Sequence, residues 1–374
     1  MRLSELTTLR IGGEITRVVE ARSEDELISA VRTADEAGEP LLVLGGGSNL
    51  VASDKPFHGT VVRTLSPADS PVRAFVHDGA APEVPDACCG GISLTYFAGE
   101  VWDEVVQYAI ALEAWGIEAL SGIPGSVGAT PIQNVGAYGQ DVSATIERVV
   151  TWDRVDRQRK TFSASDLQFA YRNSILKSTP MPAAPDREGT SMGATGRYVV
   201  LSVSFHHAQG SMSAPIQYAE LASRLGVQVG ERAPMSEVRE AVLAIRGSKG
   251  MVLNPADHDT WSAGSFFTNP IIPAEQAQRL PEEAPRFPAG EGMVKTSAAW
   301  LISAAGFERG FSLQHESGDP VRASLSTKHS LALTNRGTAR SQDIVDLAQR
   351  VQRQVRERFD ITLVPEPVRL GVNI

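Results

Sequence analysis

Eighteen residues, Gly122 to Gly139, constrain this chain more than any others. Five glycines and two prolines stand there among small and apolar side chains. A surface loop would be more polar. The pattern predicts a buried, irregular segment whose backbone closely approaches a flat or extended ligand; a core-packed irregular segment is the plainer alternative. A second glycine run, Leu44-Gly-Gly-Gly-Ser-Asn-Leu50, follows the apolar stretch Leu41–Leu44. Three glycines after a strand let the backbone turn sharply and aim its N–H groups at one spot. Such a nest binds phosphate oxygens without cationic side chains, whereas a plain tight turn would bind nothing. No Gly-Lys-Ser/Thr follows, and no helix opens with G-x-G-x-x-G, so neither standard nucleotide fingerprint applies.

Composition narrows the classes. The chain has 374 residues, 42% hydrophobic and 21% charged, enough apolar material for a core and enough length for two or three domains. Its 33 glycines follow no G-x-y period. Thirty-five Lys and Arg against 44 Asp and Glu give a net charge of −9, which argues against a general nucleic-acid binder but leaves room for a local basic pocket. The two cysteines, Cys88 and Cys89, are adjacent and form neither a disulfide framework nor a zinc spacing. Met1-Arg2-Leu3-Ser4-Glu5 lacks an apolar leader, and no run approaches the roughly 20 apolar residues of a membrane span. A soluble cytoplasmic protein without membrane insertion is expected.

Periodicity supplies the elements. Ser23–Gly38 reads as a helix, with Ser23 and Glu26 as a capping box and Leu27, Ile28 and Val31 on its apolar face. Leu41–Leu44 reads as a buried strand. Ser66–Ala87 is rich in Pro and Asp, with a strand near Val72–Val76. Helices are expected at Val101–Trp115, Ser236–Arg246 and Ser341–Phe359, and strands at Arg148–Trp152, Tyr198–Phe205 and Ile361–Leu363. Ser178–Gly196, rich in Pro, Gly and Ser, reads as a surface insertion.

Gly45-Gly-Gly-Ser-Asn49, Ser121-Gly-Ile-Pro-Gly-Ser-Val-Gly-Ala129 and Gln133-Asn-Val-Gly-Ala-Tyr-Gly139 together resemble the UDP-N-acetylenolpyruvoylglucosamine reductase family, flavoproteins of peptidoglycan synthesis with a vanillyl-alcohol-oxidase (PCMH-type) fold. The resemblance continues through Tyr171-Arg-Asn-Ser174, Ala263-Gly-Ser-Phe-Phe-Thr-Asn-Pro270, Lys295, Ala298-Ala-Trp-Leu-Ile302, Lys328-His329 and Leu363-Val-Pro-Glu366. It spans nearly the whole chain in order.

The resemblance implies an α+β fold: a two-lobed FAD-binding part (1–66 and 67–247, with an insertion near 178–197), a separate α+β substrate-binding domain (248–358) and a C-terminal segment (359–374) returning to the active site. It implies that NADPH reduces FAD, and that the reduced flavin passes hydride to the enolpyruvyl group of a UDP-sugar. Negative charge then builds on the substrate carboxylate and the adjacent carbon, which calls for fixed donors and an acid. Arg172 matches the carboxylate-stabilising arginine, Ser265 the proton donor and Glu366 the acidic partner. Flavin binding is implied for Gly45, Gly46, Gly47, Ser48, Asn49 and Leu50. It is implied also for Ser121, Gly122, Ile123, Pro124, Gly125, Ser126, Gly128 and Ala129, and for Asn134, Gly136, Ala137, Tyr138 and Gly139. Substrate contacts fall to Tyr171, Tyr218, Lys249, Asn269 and Lys295. No metal is implied, the partners are small molecules, and a monomer is expected.

Three features depart from the family pattern: Gly250-Met251 after Lys249, the 178–196 insertion, and Pro367 directly after Glu366. Two rival readings remain. A PCMH-type flavin oxidase would keep the glycine loops but would not need Arg172, Ser265 and Glu366 together, and a non-catalytic nucleotide-binding regulator would bind without turnover.

Overall fold

Ser23 caps its helix as the sequence predicts. Its Oγ accepts the Glu26 N–H at 3.2 Å, and the helix runs Glu24–Glu36. The Glu26 carboxylate, however, accepts the N–H of Arg22 (2.7 Å), one residue before the cap. Leu27, Ala30, Val31 and Ala34 form the buried face. The computed structural model describes residues 1–67, the backbone of 75–78, and residues 91–181, 195–314 and 318–374. Cys88 and Cys89, Val72 and most of the 178–196 insertion lie outside the described residues.

The chain folds as two compact units, each discontinuous in sequence. The larger comprises Ile15–Gly46 and His58–Gly247. One of its sheets orders the strands Ile15–Ala21, Phe57–Thr64 and Leu41–Leu44, the last two parallel with Leu42 opposite Val61. A second, larger sheet is antiparallel, in the order Gln158–Ser163, Ile146–Asp153, Tyr198–Gln209, Gly91–Phe97, Phe75–Asp78. Tyr96, Trp102 and Phe205 meet at the centre of the packing, with ring centroids 5.8–6.0 Å apart for Phe205 and its two neighbours.

The helix expected over Val101–Trp115 is shorter, Trp102–Ala111. Glu113 takes a left-handed conformation (φ 55°), which ends the helix, and Ala114–Trp115 pair as strand with Gln209 and Ala208. Periodicity could not expose that pairing, because the partner lies more than ninety residues away.

The second unit comprises Met1–Glu14, Gly47–Phe57 and Ser248–Ile374. Its core gathers Leu9, Ile11, Phe266, Phe267, Leu301 and Leu333 with Ile344, Ala348, Val351 and Val355 of the helix Ser341–Phe359. That helix has the predicted limits. Asp54 Oδ2 accepts the Ser341 N–H at 2.6 Å at its start, and Asp360 (φ 55°) turns the chain out at its end. Each fully buried aliphatic side chain on this face contributes about 1.5–3 kcal/mol.

Ile361–Leu363 is not a strand. Ile361 and Leu363 are buried and Thr362 is exposed, the alternation expected of a strand, but the backbone pairs further on. Pro365 bridges Phe267, and Val368–Leu370 runs parallel to Leu50–Ala52. Among the described residues, no helix is long and apolar enough to cross a membrane.

Candidate active site

In the larger unit, Gly45 and Gly46 pack directly on the Ser121–Ala129 stretch. A Cβ on Gly45 would lie 2.2 Å from Ser126 Oγ, and one on Gly46 would lie 2.7 Å from Gly125 Cα. Gly128 is equally tight, 2.6 Å from Ala98 Cβ. Glycine is therefore demanded by loop against loop, where the sequence had suggested loop against ligand. The consequence is a ridge of main chain without side chains, on which Gly46 is exposed and Gly45 and Gly125 half-buried. That cradle fits the diphosphate of a flavin nucleotide, because bare amides can solvate phosphate oxygens where cations are absent. Gly47 (φ 61°) and the half-buried Ser48 and Asn49 carry the run to the buried Leu50.

The Ser121–Ala129 stretch is anchored on both sides. Ser121 is buried, its Oγ donating to the Glu118 carbonyl at 2.7 Å. The Gly122 N–H donates to Asp103 Oδ1 (2.5 Å), and Arg239 grips both oxygens of that carboxylate at 2.7 and 2.8 Å. Burial pushes the Asp103 carboxyl up. The Arg239 fork and the Gly122 amide outweigh it and hold the group below the ordinary range. Beyond Ile123 and Pro124, the Gly125 carbonyl accepts the Trp102 N–H, and Val127 and Gly128 donate to the carbonyls of Glu100 and Ala98. Ala129 is exposed at the end of this short turn.

Gly136–Ala137 and Gln140–Asp141 form a two-residue hairpin turning on Tyr138 (φ 51°) and Gly139 (φ 85°). Positive φ at both corners is the type I′ arrangement. Tyr138 meets Tyr218 edge to face, with centroids 5.5 Å apart at 82°. Burial pushes the Tyr138 phenol up to about 12, against the pull of the nearby Arg246 guanidinium. Arg246 lies under Gly122, where a Cβ would be 3.4 Å from its Nε, and burial lowers its own pKa.

Arg172 joins this region. Its Nη1 donates to the Asn134 carbonyl (3.2 Å) and its Nη2 to the Gly136 carbonyl (2.6 Å), two of the five N–H donors of a guanidinium. Arg172 itself has φ 54°, and Asn134 and Tyr138 share that left-handed region. Such conformations cost about 1–2 kcal/mol each. Tyr171 is 38% exposed, its ring 5.3 Å from the Arg172 Cζ.

The second unit holds Ser265, Glu366, Lys249, Asn269 and Lys295, all half-buried. Ser265 follows the left-handed Gly264 (φ 74°). Phe266 donates its N–H to the Leu331 carbonyl at 2.8 Å and accepts the Glu366 N–H at 2.9 Å. Ser265 and Glu366 thus flank one antiparallel pairing although a hundred residues separate them. Pro367, which lacks an N–H, falls between Glu366 and Val368, whose amides bond to Phe266 and Asn49 on different segments. Proline there sacrifices no donor, and the pairing is intact. Asn269 Oδ1 accepts the N–H of Ala298 at 3.0 Å and helps cap the helix Ala298–Ala304. Lys295 lies on the strand Met293–Thr296, opposite Ile271 and Phe287. Lys249 directly follows the helix Met235–Ser248. Lys328 pairs with Asp257 at 2.6 Å, which raises the lysine and lowers the carboxyl.

Sequence reasoning missed Asp103, Arg239, Arg246 and Glu118. One signal was available: Arg239 and Arg246 are seven residues apart, two turns on one helix face.

Comparison with known proteins agrees with this architecture. Residues 15–158 match the family model of an FAD binding domain, and residues 254–370 that of the UDP-N-acetylenolpyruvoylglucosamine reductase C-terminal domain. A UDP-N-acetylenolpyruvoylglucosamine reductase of Cutibacterium acnes is 51% identical over 372 residues, covering all of this chain and 90% of the relative. One from Streptomyces coelicolor is 48% identical over 384 residues, again covering all of this chain and 90% of the relative. The crystal structure of the Thermus caldophilus reductase has the same fold, with a TM-score of 0.59 at 21% identity, covering 99% of this chain and 98% of that one. By identity across its whole length, the chain belongs to the UDP-N-acetylenolpyruvoylglucosamine reductase family and is an FAD-dependent oxidoreductase.

Proposed function

We propose that this enzyme uses NADPH to reduce UDP-N-acetylglucosamine enolpyruvate to UDP-N-acetylmuramate, a step of peptidoglycan precursor synthesis. One observation supports the reading beyond family membership: the segments that carry Ser265 and Glu366 pair through the Glu366 N–H and the Phe266 carbonyl, although a hundred residues separate them.

Bound FAD, once reduced by NADPH, supplies the hydride that adds to the enolpyruvyl double bond. The residues of the chain manage the charge and the proton. Arg172, permanently charged and forked, binds the substrate carboxylate and holds the growing negative charge. Ser265 delivers a proton to the carbon beside that carboxylate. A serine hydroxyl is a weak acid, so it acts only against a strongly basic centre. Glu366, in its protonated form, donates a hydrogen bond to the same developing charge. Tyr171, Tyr218, Lys249, Asn269 and Lys295 bind the UDP-sugar. A chain of net charge −9 needs such placed groups to hold a diphosphate. Incubating the purified protein with NADPH and the enolpyruvyl UDP-sugar tests the reading. Formation of UDP-N-acetylmuramate in step with NADPH oxidation supports it; NADPH oxidation by oxygen alone, with the sugar unchanged, refutes it.

A further inference from the structure

Glu118 is 1% exposed, and all three of its hydrogen-bond donors are neutral. Its Oε2 accepts the Gly116 N–H at 2.6 Å. Its Oε1 accepts the Gln140 Nε2 at 2.8 Å and the Ala214 N–H at 2.6 Å. Gln140 closes the circuit, its Oε1 accepting the Ala119 N–H at 2.8 Å. A carboxylate removed from water is costly unless its oxygens are satisfied, and here three N–H groups satisfy them. Glutamine could not replace it without loss, because its own NH₂ would face one of those donors.

The bonds join stretches distant in sequence, and two of these lead to the paired tyrosines. Gln140 directly follows the Tyr138-Gly139 turn, and Ala214 lies four residues before Tyr218. The turn also rests on that second stretch, since a Cβ on Gly139 would lie 2.7 Å from Gln217 Cβ. The outcome is the edge-to-face Tyr138–Tyr218 pair at 5.5 Å.

We propose that Glu118, acting through Gln140 and the Ala214 amide, is a positioning residue for UDP-sugar binding: it fixes the Tyr138–Tyr218 pair in the place from which Tyr218 meets the substrate diphosphate. The proposal rests on the role given to Tyr218 above. Glu118 is buried and does not touch substrate. Its effect is on where Tyr218 stands before substrate arrives, so it belongs to binding rather than to the chemical step.

The test uses the flavin-loaded enzyme with Glu118→Gln and, separately, Gln140→Met. The second variant leaves Glu118 bonded to the Gly116 and Ala214 amides, so it carries the test if the first does not fold. The expected result is a KM for the enolpyruvyl UDP-sugar raised about tenfold, the size of one or two lost hydrogen bonds. With FAD in saturating excess, the rate of flavin reduction by NADPH and kcat should stay within about twofold of wild type. An unchanged KM overturns the proposal. So does a parallel fall of kcat and thermal midpoint, the mark of a merely structural residue. A wild-type enzyme that does not turn over the UDP-sugar overturns the functional reading, and this proposal with it.

Discussion

The amide of Glu366 donates to the carbonyl oxygen of Phe266 at 2.9 Å, which pairs the segment that carries the last acidic residue of the chain with the segment that carries Ser265. The two half-reactions separate tasks that overall activity would merge. Ser265→Ala should leave the reduction of flavin by NADPH within about twofold of wild type, and should slow reoxidation by the enolpyruvyl UDP-sugar by about 10²–10⁴, the range expected for a lost general acid. Rapid-mixing absorbance of each half-reaction decides. An equal loss in both halves rules out a proton-donor role.

Gly46 cannot take a side chain cheaply, because the nearest atom is Gly125 Cα and backbone does not rotate away. Gly46→Ala should cost about 1–3 kcal/mol and reduce flavin content, read from the flavin-to-protein absorbance ratio. Gly247, near the end of the helix Met235–Ser248, meets nothing within 4 Å. Gly247→Ala should be neutral or stabilising by up to about 1 kcal/mol. Equal losses in the two variants would contradict the loop-on-loop account.

Asp103 holds the Gly122 amide while Arg239 holds Asp103. In Asp103→Asn one acceptor becomes a donor, facing either an amide or a guanidinium. Flavin Kd should rise about tenfold or more, with little change in the rate of flavin reduction at saturating flavin. Titrating apoprotein with FAD measures this, and an unchanged Kd would show that the Gly122 anchor is not needed for binding.

His207 is fully buried and stacked on Phe205, and its Nδ1 lies 3.3 Å from the Trp115 carbonyl. A carbonyl only accepts, so the neutral ring carries its proton on Nδ1. Burial lowers the pKa from 6.5 to about 4. The unfolded chain therefore binds a proton that the folded chain refuses between pH 6.5 and about 4. Stability is complete above pH 6.5 and falls with pH through that window, by about 3 kcal/mol in all, then levels off for this residue. Urea unfolding at stepped pH should show this slope, and His207→Asn, which keeps a donor for Trp115, should flatten it. An identical slope in the variant would exclude His207 as the cause.

Much of the fold could be read from local pattern. The helix Ser341–Phe359 and the strand Leu41–Leu44 have their expected limits, because apolar spacing and the turn residues beside them act over a few positions. Two short pairings between distant segments were missed. Ala114–Trp115 belong to a strand partner at 208–209, and the C-terminal pairing begins at Pro365 rather than Ile361. The site divides in the same way. Glycine at 45, 46 and 128 was legible as a demand for bare main chain, although its source is contact between loops. Asp103 and Glu118 were invisible, since what distinguishes them is the amides they accept, and those are set by tertiary folding.

The central claim is that one flavin takes electrons from NADPH and yields them to the enolpyruvyl UDP-sugar. The direct test is the visible spectrum of the purified enzyme, without oxygen, through two additions. The account predicts a yellow protein bleached by NADPH, whose oxidised spectrum returns on adding the UDP-sugar. A bleached flavin that stays reduced until oxygen is admitted, whatever the amount of UDP-sugar, would contradict it.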